Sequence, residues 1–232
     1  MSQQAKPHAM GFQSHTHIQS VVIAGAGGFG LEVYDYLLQH HDAGGPPIAG
    51  FIDDTPELIL GDDIHHPLLG SITDYRAVAS QVVVLAIGSV KGRQAVLQRL
   101  WAQGVETPPF VADMAMVSPQ ATLGQGSIVC PFSIVGRRAH LGLGSLVNVH
   151  GSVGHGAHVG DFSVLSPYAA LNGDATIGAR CFLGTRATIY PKIHIGDDCI
   201  VDTHCGVRQN APEGKVLIAS RGNYQVTPLR TR

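Results

Sequence analysis

Two groups of residues in this chain have the types and spacing for chemistry. The first is Gly25-Ala26-Gly27-Gly28-Phe29-Gly30, a G-x-G-x-x-G run. It follows the apolar stretch Ser20-Val21-Val22-Ile23-Ala24 and precedes Leu31, Val33, Tyr34, Leu37 and Leu38, which are apolar at helical spacing. A glycine turn between a strand and a helix lets the backbone approach a phosphate at the positive end of the helix. Asp53 closes the next apolar run, Ile48 to Ile52, where an acid could meet a ribose hydroxyl. The second group is histidine. Of the 13 in the chain, six fall in its later half: His140, His150, His155, His158, His194 and His204. Imidazole titrates near neutral pH, so a well-placed one can act as a general base.

Residues 20–110 alternate between strand and helix patterns. The expected strands are Ser20 to Ala24, Ile48 onward and Gln81 onward. The expected helices run from Leu31 to His40 and from Arg93 to Ala102. Such alternation predicts a parallel sheet with right-handed crossovers. A stretch this short holds barely half of a dinucleotide fold, which favours a nucleotide-sugar over NAD. Thr107-Pro108-Pro109 closes this part.

Beyond it the period changes to six. Aliphatic residues stand six apart without a break from Val117 to Val207, and a small side chain lies two before each, Ile193 excepted. This pattern predicts a parallel β-helix, with one hexad per side and three per coil, so that residues 18 apart stack. The aliphatic series should fill the axis. Glycines such as Gly136, Gly154 and Gly160 follow it, where a tight turn would use positive φ. In this register His140 stacks on His158, His150 and His204 share one line, and His155 lies on the outward part of a face. The preceding domain should cap one end of the coils and Asn210 to Ser220 the other.

The bulk properties exclude some functions. Net charge is −2 with no long basic run, which argues against nucleic acid. No apolar run approaches the roughly 20 residues of a membrane span. Residues 1–19 lack the apolar core of a secretory signal and read as a polar, mobile tail. Three of the four cysteines (Cys130, Cys181, Cys199, Cys205) occupy the small-residue slot and none forms a C-x-x-C pair, so a cytoplasmic location is expected.

From about residue 20 to 220 the chain resembles the sialic-acid and bacillosamine-type sugar O/N-acetyltransferases. The resembling segments begin at Val22-Ile23-Ala24-Gly25, Phe51-Ile52-Asp53-Asp54, Ala86-Ile87-Gly88-Ser89, Ser152-Val153-Gly154-His155 and Ile189-Tyr190-Pro191-Lys192. The resemblance implies an α/β plus all-β chain: a small Rossmann-like N-terminal domain (20–110) followed by a left-handed parallel β-helix (111–210), with a C-terminal cap and tail (211–232). It implies acetyl-CoA as co-substrate, no metal, and a homotrimer with active sites in the grooves between prisms. By the same resemblance His155 is the catalytic base. Gly25, Gly27, Gly30, Asp53, Asp54, Gly88 and Ser89 bind the nucleotide-sugar, and Val164, Gly173 and Thr185 contact acetyl-CoA. A backbone N–H near Asn172-Gly173 holds the oxyanion.

The chain departs from the pattern at three places. Gly156 stands where an acid often follows the histidine, Val164 where a second histidine occurs, and Phe29 where the nucleotide loop is often polar. Asp161 or a backbone carbonyl is the expected orienting group for His155. The expected activity is N-acetylation of a nucleotide-linked amino sugar in surface polysaccharide biosynthesis. The alternatives are O-acetylation of sialic acid or another surface-glycan sugar, and an inactive nucleotide-sugar-binding protein. A zinc hydrolyase would pair His150 and His155 with Met114, a poor third ligand.

Overall fold

The computed structural model describes residues 11–12, 17–55 and 60–219. Its elements begin with β1 (Gly11–Phe12), β2 (Ser20–Ala24), α1 (Gly28–Asp42), β3 (Ile48–Ile52), β4 (Leu68–Gly70), β5 (Gln81–Leu85) and α2 (Val90–Ala102). The strands β4-β3-β2-β5 form one parallel sheet in that order. Successive residues of its central strands face opposite sides. Val21, Ile23, Val82 and Val84 pack with Val33, Tyr34 and Leu37 of α1. Val22, Ala24, Val83 and Leu85 pack with Leu97 and Leu100 of α2. Both faces are covered, which is why these strands read as continuous apolar runs. The edge strand β4 escaped the sequence pattern because Leu68, Leu69 and Gly70 are exposed and too few to show a period.

After α2 the chain winds into a three-sided left-handed β-helix of two-residue strands. The first face holds Phe110–Val111, the second Met116–Val117 and the third Thr122–Leu123, and each recurs with the next coil. Pairing is parallel and in register, as in Ile134 with Ser152, His140 with His158 and Leu146 with Val164. The aliphatic series and its small companions form one buried column inside. The first edge joins faces one and two, the second joins two and three, and the third joins three and one.

Every edge turns on a residue of left-handed backbone. At each sixth position from Gly126 to His204 φ is positive, from 55° at Asp198 to 70° at Gly126. Most of these residues are not glycine. An L-residue costs about 1–2 kcal/mol there, and continuous ladder pairing on both sides holds the conformation. The glycines after the aliphatic series are therefore needed for another reason than the expected one. Their φ is not positive. A Cβ at Gly154 would lie 2.7 Å from the Gly173 nitrogen, and one at Gly136 would lie 2.8 Å from the His155 nitrogen. Coils stacked at strand spacing leave no room for a side chain at these positions.

The N-terminal domain docks on the first face and third edge. Fully buried Arg93 of α2 donates to the carbonyls of Gly144 at 2.6 Å, Ile87 at 2.7 Å and Gly126 at 3.0 Å. Burial pushes its guanidinium down to about 9, which leaves it charged at neutral pH. Leu97 fills the space above Gly126 and Gly144, and Trp101 meets Phe162 with ring centroids 6.4 Å apart. Residues Gly11–Phe12, expected within a mobile tail, instead pair antiparallel with Phe110–Val111, and Phe12 packs on Phe110 at 5.2 Å. Of the rest of that expected tail, 1–10 and 13–16 lie outside the described residues. At the far end Val216–Leu217 extends the first face, and 220–232 lie outside the described residues. Among the described residues no helix is long and apolar enough to cross a membrane.

Candidate active site

The glycine run forms the turn from β2 into α1, and its glycines answer to different constraints. Gly25 has φ +105°, and a Cβ there would lie 2.8 Å from the Ala86 carbonyl oxygen. A Cβ on Gly30 would strike the Gly25 carbonyl, so Gly30 lets helix and strand close. Gly27 is the N-cap of α1 without a side-chain cap, and it opens to free space. The first N–H groups of a helix have no intrahelical partner and carry partial positive charge. The start of α1 at Gly27 and Gly28 is thus left uncovered.

Asp53 supports this turn. Its carboxylate accepts from the Ala26 N–H at 2.8 Å and the Thr55 N–H at 2.7 Å. Partial burial works to raise its pKa, and the hydrogen bonds from Thr55 and Ala26 outweigh that and hold it below the usual carboxylate range. Both oxygens are thus engaged by the chain itself, and Asp53 braces the loop. Asp54 accepts from the Thr73 N–H at 2.9 Å and bridges to Arg99, contacts that tie its exposed carboxylate to the fold. Gly88 is exposed with open space above it, and Ser89 caps α2 by accepting from the Gly92 N–H at 3.2 Å. Beside Ser89, the first turn of α2 and Arg180, Phe182, Asp198 and Ile200 of the β-helix enclose a groove of about 690 Å³.

His155 sits on the second edge, in the turn between Ser152–Val153 and His158–Val159, and not on a face as expected. Its side chain is 74% exposed. The ring extends over Gly173 of the next coil, where a Cβ would lie 2.5 Å from its Cε1. Arg137 and Arg138 of the preceding coil, with His155, Gly156 and Asp174, line a depression of about 280 Å³. The two arginines went unnoticed in the sequence, although subtracting one coil from His155-Gly156 gives them directly.

The expected acetyl-CoA contacts separate. Gly173 is under the His155 ring. Thr185 lies on the first edge, between Phe182–Leu183 and Thr188–Ile189. Val164 is only 2% exposed and packs in the cluster between the first face and the N-terminal domain, so it has no surface for a ligand. Asp161 is also corrected as the orienting group. It lies on the third edge and accepts from the Leu143 N–H at 2.8 Å. Among the described residues no group of three or more His, Cys, Asp or Glu could hold a metal ion.

Residues 20–100 match the family described as the PglD N-terminal domain, and residues 175–203 match the hexapeptide repeat of succinyl-transferase. No curated protein matches the sequence. Among solved structures, PerB from Caulobacter crescentus in complex with CoA and GDP-perosamine is 26% identical, with 86% of this chain and 94% of that one covered and a TM-score of 0.76. The acetyltransferase domain of PglB from Neisseria gonorrhoeae in complex with acetyl coenzyme A is 24% identical over 87% and 97%, at TM-score 0.79. WeeI from Acinetobacter baumannii is 24% identical over 86% and 96%, at TM-score 0.74; these last two likenesses bear on the fold. In architecture the chain thus joins a PglD-type N-terminal domain to a hexapeptide-repeat β-helix, similar in both parts and in their order to these solved structures.

Proposed function

We propose that this protein transfers an acetyl group from acetyl-CoA to the amino group of a nucleotide-linked amino sugar. The observation that carries the reading is His155: an exposed imidazole on a prism edge, beside two arginines and over a glycine whose missing side chain leaves room for the ring. In this reading the uncovered start of α1 and the Gly88-Ser89 turn bind the nucleotide-sugar. The His155 Nε2 accepts a proton from the sugar amine as it attacks the thioester carbonyl, and coenzyme A leaves as thiol. Arg137 and Arg138 offset phosphate charge near the reacting groups. The Gly173 N–H, which has no acceptor among the described residues, is the candidate donor to the developing oxyanion.

The proposal includes a homotrimer. His155 and Gly173 lie on the second edge and Thr185 on the first, so one chain does not bring them together. A second edge facing the first edge of a neighbouring subunit would unite them around acetyl-CoA. The test is acetyl transfer by the purified protein to GDP-, UDP- and dTDP-linked amino sugars, followed by mass spectrometry, with its mass in solution measured alongside. An N-acetylated product made by a trimer is expected. Absence of transfer to every amino sugar, with the same nucleotide-sugars still binding, would overturn it in favour of a binding protein.

A further inference from the structure

Gly156 occupies the place where an acid beside the histidine is expected, yet a carboxylate reaches that place from the next coil. Taking His155 as the base of the proposed reaction, we propose that Asp174 is the positioning residue that orients it. Asp174 follows Gly156 by 18 residues and repeats its place on the second edge, with φ of 58° against 64°. A Cβ on Gly156 would fall on the Asp174 carboxylate oxygen. Backbone conformation does not demand glycine there, because Arg138 and Lys192 hold the same left-handed geometry on the same edge. What the missing side chain provides is room for the acid.

Three further observations fix the pairing. The Asp174 N–H donates to the His155 carbonyl at 2.9 Å, which locks the two residues side by side. The Asp174 Oδ1 is 4.0 Å from the His155 Nδ1, both side chains are more than half exposed, and neither has another side-chain hydrogen bond among the described residues. A side-chain rotation of about 1 Å closes that gap, and catalytic hydrogen bonds in ligand-free enzymes are often long before substrate binds. The charged groups lining the depression with His155 are Arg137 and Arg138 from the coil before and Asp174 from the coil after, so among the described residues Asp174 is the one acid of this depression. A carboxylate that accepts from Nδ1–H leaves the Nε2 lone pair free to take the proton of the attacking amine. An exposed pair of this kind adds little to stability, so its consequence is tautomer and orientation.

The experiment compares wild type, D174N and the swap G156D/D174G. Ring-nitrogen NMR of His155 reports the tautomer, and steady-state rates report transfer. D174N should shift His155 from the Nδ1–H toward the Nε2–H tautomer. Its kcat should fall about 10- to 100-fold, the usual effect of removing a group that orients a functional histidine, with both KM values within about threefold. The swap should recover at least a tenth of wild-type kcat. An unchanged tautomer in D174N, or a loss of kcat that the swap leaves unrepaired, overturns the assignment. If wild type transfers nothing, the proposed reaction fails while the tautomer comparison still decides the pairing.

Discussion

His150 and His155 stand on adjacent edges of one prism, in turns of the same backbone geometry. On the first edge, the His150 ring lies nearly parallel to Phe132 at 5.1 Å and to Tyr168 at 4.6 Å, and Arg186 lies 4.9 Å over Tyr168. Each side chain there occupies the face of its neighbour one coil away. On the second edge, His155 is followed one coil later by Gly173, and the ring lies over backbone on that side and shares an open depression with Arg137 and Arg138 of the coil before. The third edge is different again, because α2 and Arg93 cover it. A histidine in a solenoid becomes available for chemistry through what stands one coil before and after it, more than through its own turn.

The sharpest way to break this contrast is to remove the two imidazoles in turn. His155→Ala should lower acetyl transfer by about 10²- to 10⁴-fold, the range for loss of a general base, while His150→Ala should stay within about threefold. Initial rates of thiol release measure both, and equal losses would erase the distinction. The covered edge makes the next largest claim. Arg93→Met leaves buried carbonyls without their donor and should cost about 1–3 kcal/mol for each that finds no other partner, measured in denaturant unfolding. A loss under about 1 kcal/mol would mean that the N-terminal domain is held by its apolar contacts alone.

Gly173→Ala separates room for a ring from room for a backbone. Its Cβ meets the His155 ring at 2.5 Å, so transfer should fall about tenfold or more while stability changes by less than about 1 kcal/mol, since an exposed ring can swing aside. Gly154→Ala, whose Cβ meets the Gly173 nitrogen at 2.7 Å, should cost about 1–3 kcal/mol of stability by overpacking. The smallest effect belongs to the stacked column. Tyr168→Ala should remove about 0.5–1.5 kcal/mol of ring stacking in thermal unfolding, with kcat within about twofold.

Much of this is legible in the amino-acid sequence. The break-free hexad fixed the coil, and adding 18 predicted that His140 would lie on His158, whose rings stack at 4.4 Å. The glycine run stood correctly between a strand and a helix. The burial of Val164 was harder to see, although a signal existed. Ile128, Leu146 and Val164 are aliphatic in the slot before the inward series, and together with Phe110 they form the outward row that the N-terminal domain covers. Asp54 gave no sign of its role, since its partners Thr73 and Arg99 are distant in sequence.

The sequence alone determined the repeat, the side chains that face inward and the partners that stack, because those follow from a local period carried along a ladder. Tertiary structure alone decided which acid could reach His155, which edge the first domain would cover and which outward residues would be lost to solvent. Those outcomes depend on the space between coils and between domains, and a spacing along the chain records direction but not the room that neighbours leave.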